Sequence, residues 1–264
     1  MINQWKDKLA VVTGASSGIG AATARKLAAQ GLRVVLVARR RERLECLAEE
    51  IRAVGGSARI LTADLRREAD RERLCEQADV ADVLVNDAGL GWYGYGDKMS
   101  WKTAREMLQV NVDAVVHLSL AFLTRMRQRN AGHIINIGSI SGSLPSQGIA
   151  LYGATKSFLD NFTTALHREL TGTHVHVSVV RAGPVRTEFG AAALALENGG
   201  HVPTEKMGVT PEKVAERVWA LLQRPRRFVY VPGYLCLTPW LELSFGWIID
   251  RLGPLLLKRR KTTS

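Results

Sequence analysis

Two residues four positions apart, Tyr152 and Lys156, set a weak acid beside a cation in the stretch Leu151-Tyr152-Gly153-Ala154-Thr155-Lys156. The stretch reads as helix from about Ala150, and four residues is about one turn, so both side chains share a face. A phenol with a pKa near 10 is a poor proton donor or acceptor at neutral pH. A neighbouring ammonium favours its ionised form. At a separation of about 5 Å and an effective dielectric of about 20 the attraction is roughly 3 kcal/mol. That would lower the tyrosine by about two pK units, toward useful proton exchange with a substrate oxygen. An ordinary amphipathic helix carries the same spacing by chance, so the pair takes its meaning from the elements that position it.

Those elements alternate along the chain. Residues 8–13 form a short β-branched apolar run suited to a strand buried on both faces. Gly14-Ala15-Ser16-Ser17-Gly18-Ile19-Gly20 follows, then an alanine-rich helical stretch that Gly31 can end. Glycines between a strand and a helix let the backbone approach a pyrophosphate, and the helix start offers unpaired N–H groups. A tight turn without ligand is the plainer alternative. Residues 33–38 read as a second strand ending at Arg39-Arg40-Arg41. An acid at this place selects a free ribose 2′-hydroxyl, whereas an arginine accommodates a 2′-phosphate. Arg39 therefore points to NADP(H), although a solvated basic helix face would also use such residues.

Further strands are expected over residues 58–64, 82–85, 133–138, 175–180 and 227–231. A long helix is expected over 103–129, enclosing Asn111, and another from Pro211. Residues 90–100, with Trp92, Tyr93 and Tyr95, could line a crevice or meet a neighbouring subunit. The predicted fold class is α/β, a doubly wound parallel sheet (Rossmann fold) with right-handed crossovers. Residues 1–232 are expected to form one catalytic domain with a weakly ordered substrate loop over about 188–208, and residues 233–264 a hydrophobic and basic extension.

Composition narrows the field. The chain has 264 residues, 46% of them hydrophobic, and a net charge of +11, which fits one medium soluble domain. Cys46, Cys75 and Cys236 are odd in number and far apart, so neither a disulfide framework nor a zinc site is expected. The histidines show no ligand spacing, and no metal is assigned. With no apolar leader at the start, the expected location is the cytoplasm. Residues 224–264 hold eight Lys/Arg against two acids, yet no nucleic-acid motif accompanies the charge.

In combination these residues resemble the short-chain dehydrogenase/reductase family over positions 8 to about 231. Thr13–Gly20 is similar to its TGxxxGxG turn, Asn86-Asp87-Ala88-Gly89 to its NNAG segment, and Ser139, Tyr152 and Lys156 to its catalytic set, with Asn111 at the family's helix asparagine. Asp87, where asparagine is usual, and Ala182, before Gly183, depart from the pattern. The resemblance implies that Tyr152 exchanges the proton and Ser139 binds the same oxygen. Lys156 would tune Tyr152 and hold the nicotinamide ribose, and Asn111 would hold a water leading from Lys156 to solvent. It further implies Gly14, Ser16, Gly18 and Ile19 around the pyrophosphate, Asp64 at the adenine, Asn86 on the adenosine side, and Val185 and Thr187 at the carboxamide. Read singly, Ser139 could cap a turn, Asn111 could serve a helix bend and Asp64 could be an N-cap.

The leading expectation is an NADPH-dependent reductase or dehydrogenase acting on a carbonyl or secondary alcohol of a hydrophobic small molecule. Alternatives are a ketoacyl-carrier-protein reductase, which the charge suits, and a non-catalytic NADP-binding regulator. The resemblance implies a homo-oligomer, a dimer or tetramer. Beyond residue 233, Pro239, Glu242 and Gly246 interrupt an apolar aromatic run, so no stretch reaches the roughly 20 residues needed to span a bilayer. That tail is expected either to pack in an assembly or to lie at a membrane surface next to Lys258-Arg259-Arg260-Lys261.

Overall fold

Short runs of valine, leucine and isoleucine supply the strands, because side chains buried on both faces favour β-branched residues. The computed structural model describes residues 4–200 and 208–256. Its strands are β1 (Leu9–Thr13), β2 (Arg33–Ala38), β3 (Ser57–Thr62), β4 (Val83–Asn86), β5 (Gly132–Ser139), β6 (Val175–Ala182) and β7 (Phe228–Val231). They form one sheet in the order β3-β2-β1-β4-β5-β6-β7, and every pairing is parallel. This is the doubly wound architecture expected from the sequence.

The helices are α1 (Gly18–Ala29), α2 (Arg41–Ala53), α3 (Glu68–Gln77), α4 (Trp101–Leu108), α5 (Ala114–Gln128), α6 (Ala150–Glu169), α7 (Phe189–Leu194), α8 (Pro211–Gln223) and α9 (Thr238–Leu256). Strand alternation divides them into two layers. Ala10 and Val12 of β1 belong to a core with Leu27 of α1, Leu44 of α2 and Val218 of α8. Leu9 and Val11 belong to the opposite core, with Leu74 of α3, Phe122 of α5 and Leu166 of α6. Each fully buried Val, Leu or Phe contributes about 1.5–3 kcal/mol relative to exposure.

The chain runs outward from β1 through β2 to β3, then returns to the other side of β1 as β4. The crevice beyond the carboxyl ends of β1 and β4 is thus the switch point where open α/β sheets bind ligands. The turn after Thr13 and the segment Asp87-Ala88-Gly89 both lie there.

Three local expectations change. The helix expected over 103–129 is divided by wider π turns over Gln109–Asp113, so that Thr103, Met107, Asn111 and Val115 all face inward. The Trp101–Gln128 stretch is long and apolar enough to cross a membrane by composition, but Leu118, Phe122 and Met126 are buried in the fold. The insert after residue 188 contains α7, and residues 201–207, at the far end of the expected loop, lie outside the described ones. In the tail, Pro239 opens α9 instead of interrupting it, since proline is tolerated in a first helical turn. The cluster Lys258-Arg259-Arg260-Lys261 lies outside the described residues.

Candidate active site

Helix α6 carries Tyr152 and Lys156, and the end of β5 carries Ser139. The turn Ile140–Gly142 joins them by lying directly on α6. A Cβ on Gly142 would stand 2.8 Å from the Lys156 carbonyl carbon, so only glycine permits this approach. Ser139 accepts a hydrogen bond from the Ser141 N–H at 3.1 Å and donates to the Ser141 hydroxyl at 3.2 Å. It also favours the ionised form of the Tyr152 phenol. Lys156 is buried, its Nζ donating to Ile137 O at 2.8 Å and lying 5.8 Å from the centre of the Tyr152 ring. Asn111, in the π turns, accepts from Leu90 N at 2.8 Å and donates to Leu90 O at 2.9 Å and Thr155 Oγ1 at 3.1 Å. Its side chain ties the loop after β4 to α6, beside Lys156.

The electrostatics overturn one expectation. Burial pushes the Tyr152 phenol above its ordinary value; Tyr93 adds to this, the Ser139 hydrogen bond opposes it, and Asp87 adds further. The ammonium of Lys156 does not win, because losing water penalises the phenolate more than a cation 5.8 Å from the ring centre stabilises it. Burial also lowers Lys156 itself to about 8, against the pull of Asp87 and then Asp160. Tyr152 therefore rests as a neutral phenol that holds a proton, and at neutral pH Lys156 remains mostly charged.

A cleft of about 650 Å³ extends from this group along the switch point. Gly14, Ser16, Gly18, Ile19, Arg39, Asp64, Val185 and Thr187 all line it, as expected. The turn is compact: a Cβ on Gly20 would meet Gly14 O at 2.5 Å and Asp87 Oδ2 at 2.8 Å. Asn86 is the exception. Its side chain is buried away from the cleft, donating to Asn136 Oδ1 at 2.9 Å and Ser119 Oγ at 3.2 Å, so only its backbone is left to meet a ligand. Asp64 does not cap α3, whose N-cap is Arg67; its carboxylate pairs with Arg66, which holds it below the usual carboxylate range.

Several contributors escaped the sequence reading. Arg40 donates to both Ser16 and Ser17 hydroxyls and, with Arg43, pairs with Glu188 across the cleft. Thr13 Oγ1 accepts from the N–H groups of Asp87 and Ala88, each at 3.1 Å, which fixes the loop after β4 against β1. Tyr93 and Phe189 flank the Tyr152 ring at centroid distances of 6.5 and 5.7 Å. The aromatic loop and the insert are linked by Trp92 Nε1 donating to Glu197 O and Gly200 N donating to Tyr93 O. The only signal for these in the sequence was the aromatic content of residues 90–100.

The family described as short chain dehydrogenase matches residues 8–197. The chain belongs to the short-chain dehydrogenase family. It is an oxidoreductase of that family, on a fold shared with its solved structures. An NADP-dependent 3-hydroxy acid dehydrogenase of Escherichia coli K12 is 36% identical over 219 residues, covering 80% of this chain and 87% of the relative. The closed form of a serine dehydrogenase complexed with NADP+ is 33% identical with a TM-score of 0.76, covering 84% of this chain and 93% of that one. A short-chain dehydrogenase from Sphingobium yanoikuyae in complex with NADPH is 28% identical with a TM-score of 0.80, covering 97% and 98%.

Proposed function

We propose that this dehydrogenase uses NADP(H) to interconvert a carbonyl and a secondary alcohol on a hydrophobic small molecule, with Asn111, Ser139, Tyr152 and Lys156 as its catalytic set. The observation that carries the reading is that Ser139, Tyr152 and Lys156 together line one end of a glycine-lined cleft, with the Tyr152 ring walled by Tyr93 and Phe189. The cleft's residues fit a 2′-phosphorylated dinucleotide. Arg39 and Arg40 follow β2 where an acid would be needed to select NAD, and the turn before α1 lines the cleft with Gly14, Ser16, Ser17 and Gly18. NADP-dependent relatives support the same cofactor. When bound, the nicotinamide supplies or accepts the hydride.

The chain's own residues do the rest. Tyr152 donates its proton to the carbonyl oxygen in reduction and recovers one from the alcohol in the reverse direction. Ser139 donates a hydrogen bond to the same oxygen, where charge develops. Lys156, mostly charged at neutral pH, stabilises the phenolate left behind. Asn111 anchors the Leu90 backbone and Thr155, holding the loop and α6 in register beside Lys156.

The walls favour an apolar substrate. Val110, Leu144, Ile149, Phe189 and Ala192 line the end of the cleft near Tyr152. Among the described lining residues, Lys156 is the one cation at that end. Homo-oligomer formation is supported by Leu120 and Phe158, which expose apolar surface on α5 and α6. Cys46, Cys75 and Cys236 are all free thiols, which suits the cytoplasm.

Turnover with a panel of aromatic, alicyclic, hydroxy-acid and carrier-linked carbonyls tests the assignment. Apolar ketones should lead, and Tyr152→Phe should lose about 10²–10⁴ in kcat while binding NADPH normally. Preference for carrier-linked substrates would replace the substrate class. NADPH binding without turnover on any substrate would favour a regulator.

A further inference from the structure

A buried pair of opposite charges lies one helical turn beyond the catalytic set. Lys156 and Asp160 stand four residues apart on the buried face of α6. Lys156 Nζ rests on Ile137 O, and Asp160 reaches the next residue of β5: a Cβ on Gly138 would stand 3.9 Å from Asp160 Oδ1. Gly138 is opposite Arg181 in the register of β5 and β6, so with no side chain on Gly138 the acid meets the arginine over the sheet. Arg181 Nε donates to Asp160 Oδ1 at 3.1 Å and lies 2.8 Å from Oδ2. The arginine is in turn fixed from β7. It donates to the Tyr230 hydroxyl at 2.6 Å, and its guanidinium carbon lies 4.3 Å from the centre of the Phe228 ring.

A buried ion pair is a poor source of stability, because desolvation offsets most of the attraction. Its place beside Lys156 gives this pair another use. Burial favours the neutral amine, which would not support a phenolate, and a carboxylate on the next turn of the same helix opposes that loss. Burial lowers Lys156 to about 8, with Asp87 and then Asp160 pulling the other way. Burial also raises the Asp160 carboxyl, opposed by the Arg181 hydrogen bond, the Arg181 charge and then Lys156. A guanidinium within reach of both oxygens is the partner that holds a carboxylate ionised. The titratable groups facing Lys156 are Tyr152 and Asp160 of α6 and Asp87 after β4. Those facing Asp160 are Lys156 and Arg181, with Tyr230 behind the arginine.

We propose that Asp160, clamped by Arg181, is a positioning residue that keeps the ammonium of Lys156 charged. The proposal rests on the reading of Lys156 as the group that supports the Tyr152 phenolate. Two variants test it. Asp160→Asn removes the charge and keeps the shape. Asp160→Leu combined with Arg181→Met replaces the whole pair by apolar side chains, so no buried arginine is left unpaired if the single variant fails to fold.

In cofactor-free protein isotope-labelled at lysine Cε, the Lys156 resonance is identified by its loss in Lys156→Met and followed by NMR against pH. Its midpoint should fall by about one pH unit in both variants. The charged amine is lost as pH rises through that midpoint, so the alkaline limb of kcat/KM for ketone reduction should fall with it. Activity should drop about five- to tenfold at about pH 8.5 but less than about twofold at about pH 6. A Lys156 midpoint within about 0.2 of wild type in a folded variant overturns the proposal and leaves the pair as a tie between α6 and β6. Equal loss of activity at every pH, with the midpoint unmoved, does the same. A midpoint that falls while the alkaline limb stays in place upholds the coupling and instead removes Lys156 from the support of Tyr152.

Discussion

Asp87→Asn should stabilise the protein, and by an amount that depends on pH. Burial raises the Asp87 carboxyl from 3.8 to about 7, against the attraction of Lys156 and a hydrogen bond from the Gly20 N–H. The folded carboxyl thus holds its proton more tightly than the unfolded one. Between about pH 4 and 7 the folded state binds more protons, so stability falls as pH rises through that window. A rise of about three units corresponds to about 4 kcal/mol once fully expressed above pH 7. Asp87 is only half-buried at the cleft surface, where water screens part of the penalty, so about 2–4 kcal/mol is expected. Asparagine keeps an oxygen for the Gly20 N–H and never ionises. Thermal melts of the cofactor-free protein should show the variant about 4–12 °C more stable at about pH 8.5, with the gap shrinking toward zero near pH 4. A Tm difference that stays constant with pH, or a variant less stable at high pH, would refute the reasoning. Either result would mean that Lys156 outweighs burial and keeps the carboxylate ionised.

Arg39→Ala and Arg40→Ala should each lower the NADPH/NADH ratio of kcat/KM by roughly ten- to a hundredfold, as loss of a charge-assisted contact to a phosphate implies. A ratio moved by Arg40 alone would transfer the 2′-phosphate to the residue that already holds Ser16 and Ser17. Glu188→Gln breaks half-exposed ion pairs, so stability in urea should change by less than about 1 kcal/mol. Stopped-flow fluorescence should nevertheless show faster NADPH release, because the Arg40–Glu188 contact crosses the cleft; an unchanged rate would reduce it to surface charge. Gly20→Ala puts a methyl 2.5 Å from Gly14 O and should cost about 1–3 kcal/mol in urea denaturation, together with weaker NADPH binding.

What the sequence made legible was local. Strand β1 reads directly because all five of its residues are buried, so its composition is uniform. The glycine turn, the Tyr152–Lys156 spacing and the basic end of β2 are patterns carried within a few residues. The direction of the Tyr152 shift was not legible, because it depends on walls supplied by Tyr93 and Phe189, 59 positions before and 37 after it. Arg39 could not be told from Arg40, since one step along the chain decides which side chain turns toward Ser16. Asn86 read as a cofactor neighbour, yet strand alternation sends its side chain into the layer of α5. Helix α9 was hidden by Pro239 and Gly246, which read as breakers although the first sits where a helix start accepts it.

The π turns at Gln109–Asp113 act as a phase adjuster. Thr103, Met107, Asn111 and Val115 recur every four residues, and in a regular α-helix each such step overshoots the inward direction by about 40°. The wider turns absorb that drift, so the α4 face holding Met107 and the α5 face holding Phe122 both point inward. The number of residues between Leu108 and Ala114 is therefore itself a structural quantity, separate from their identity. Removing any one of them would leave a hydrogen-bonded helix but rotate α4 by about 100° against α5. Met107 would turn toward solvent and Asn111 away from Leu90, so this segment should accept substitutions far more readily than a change of length.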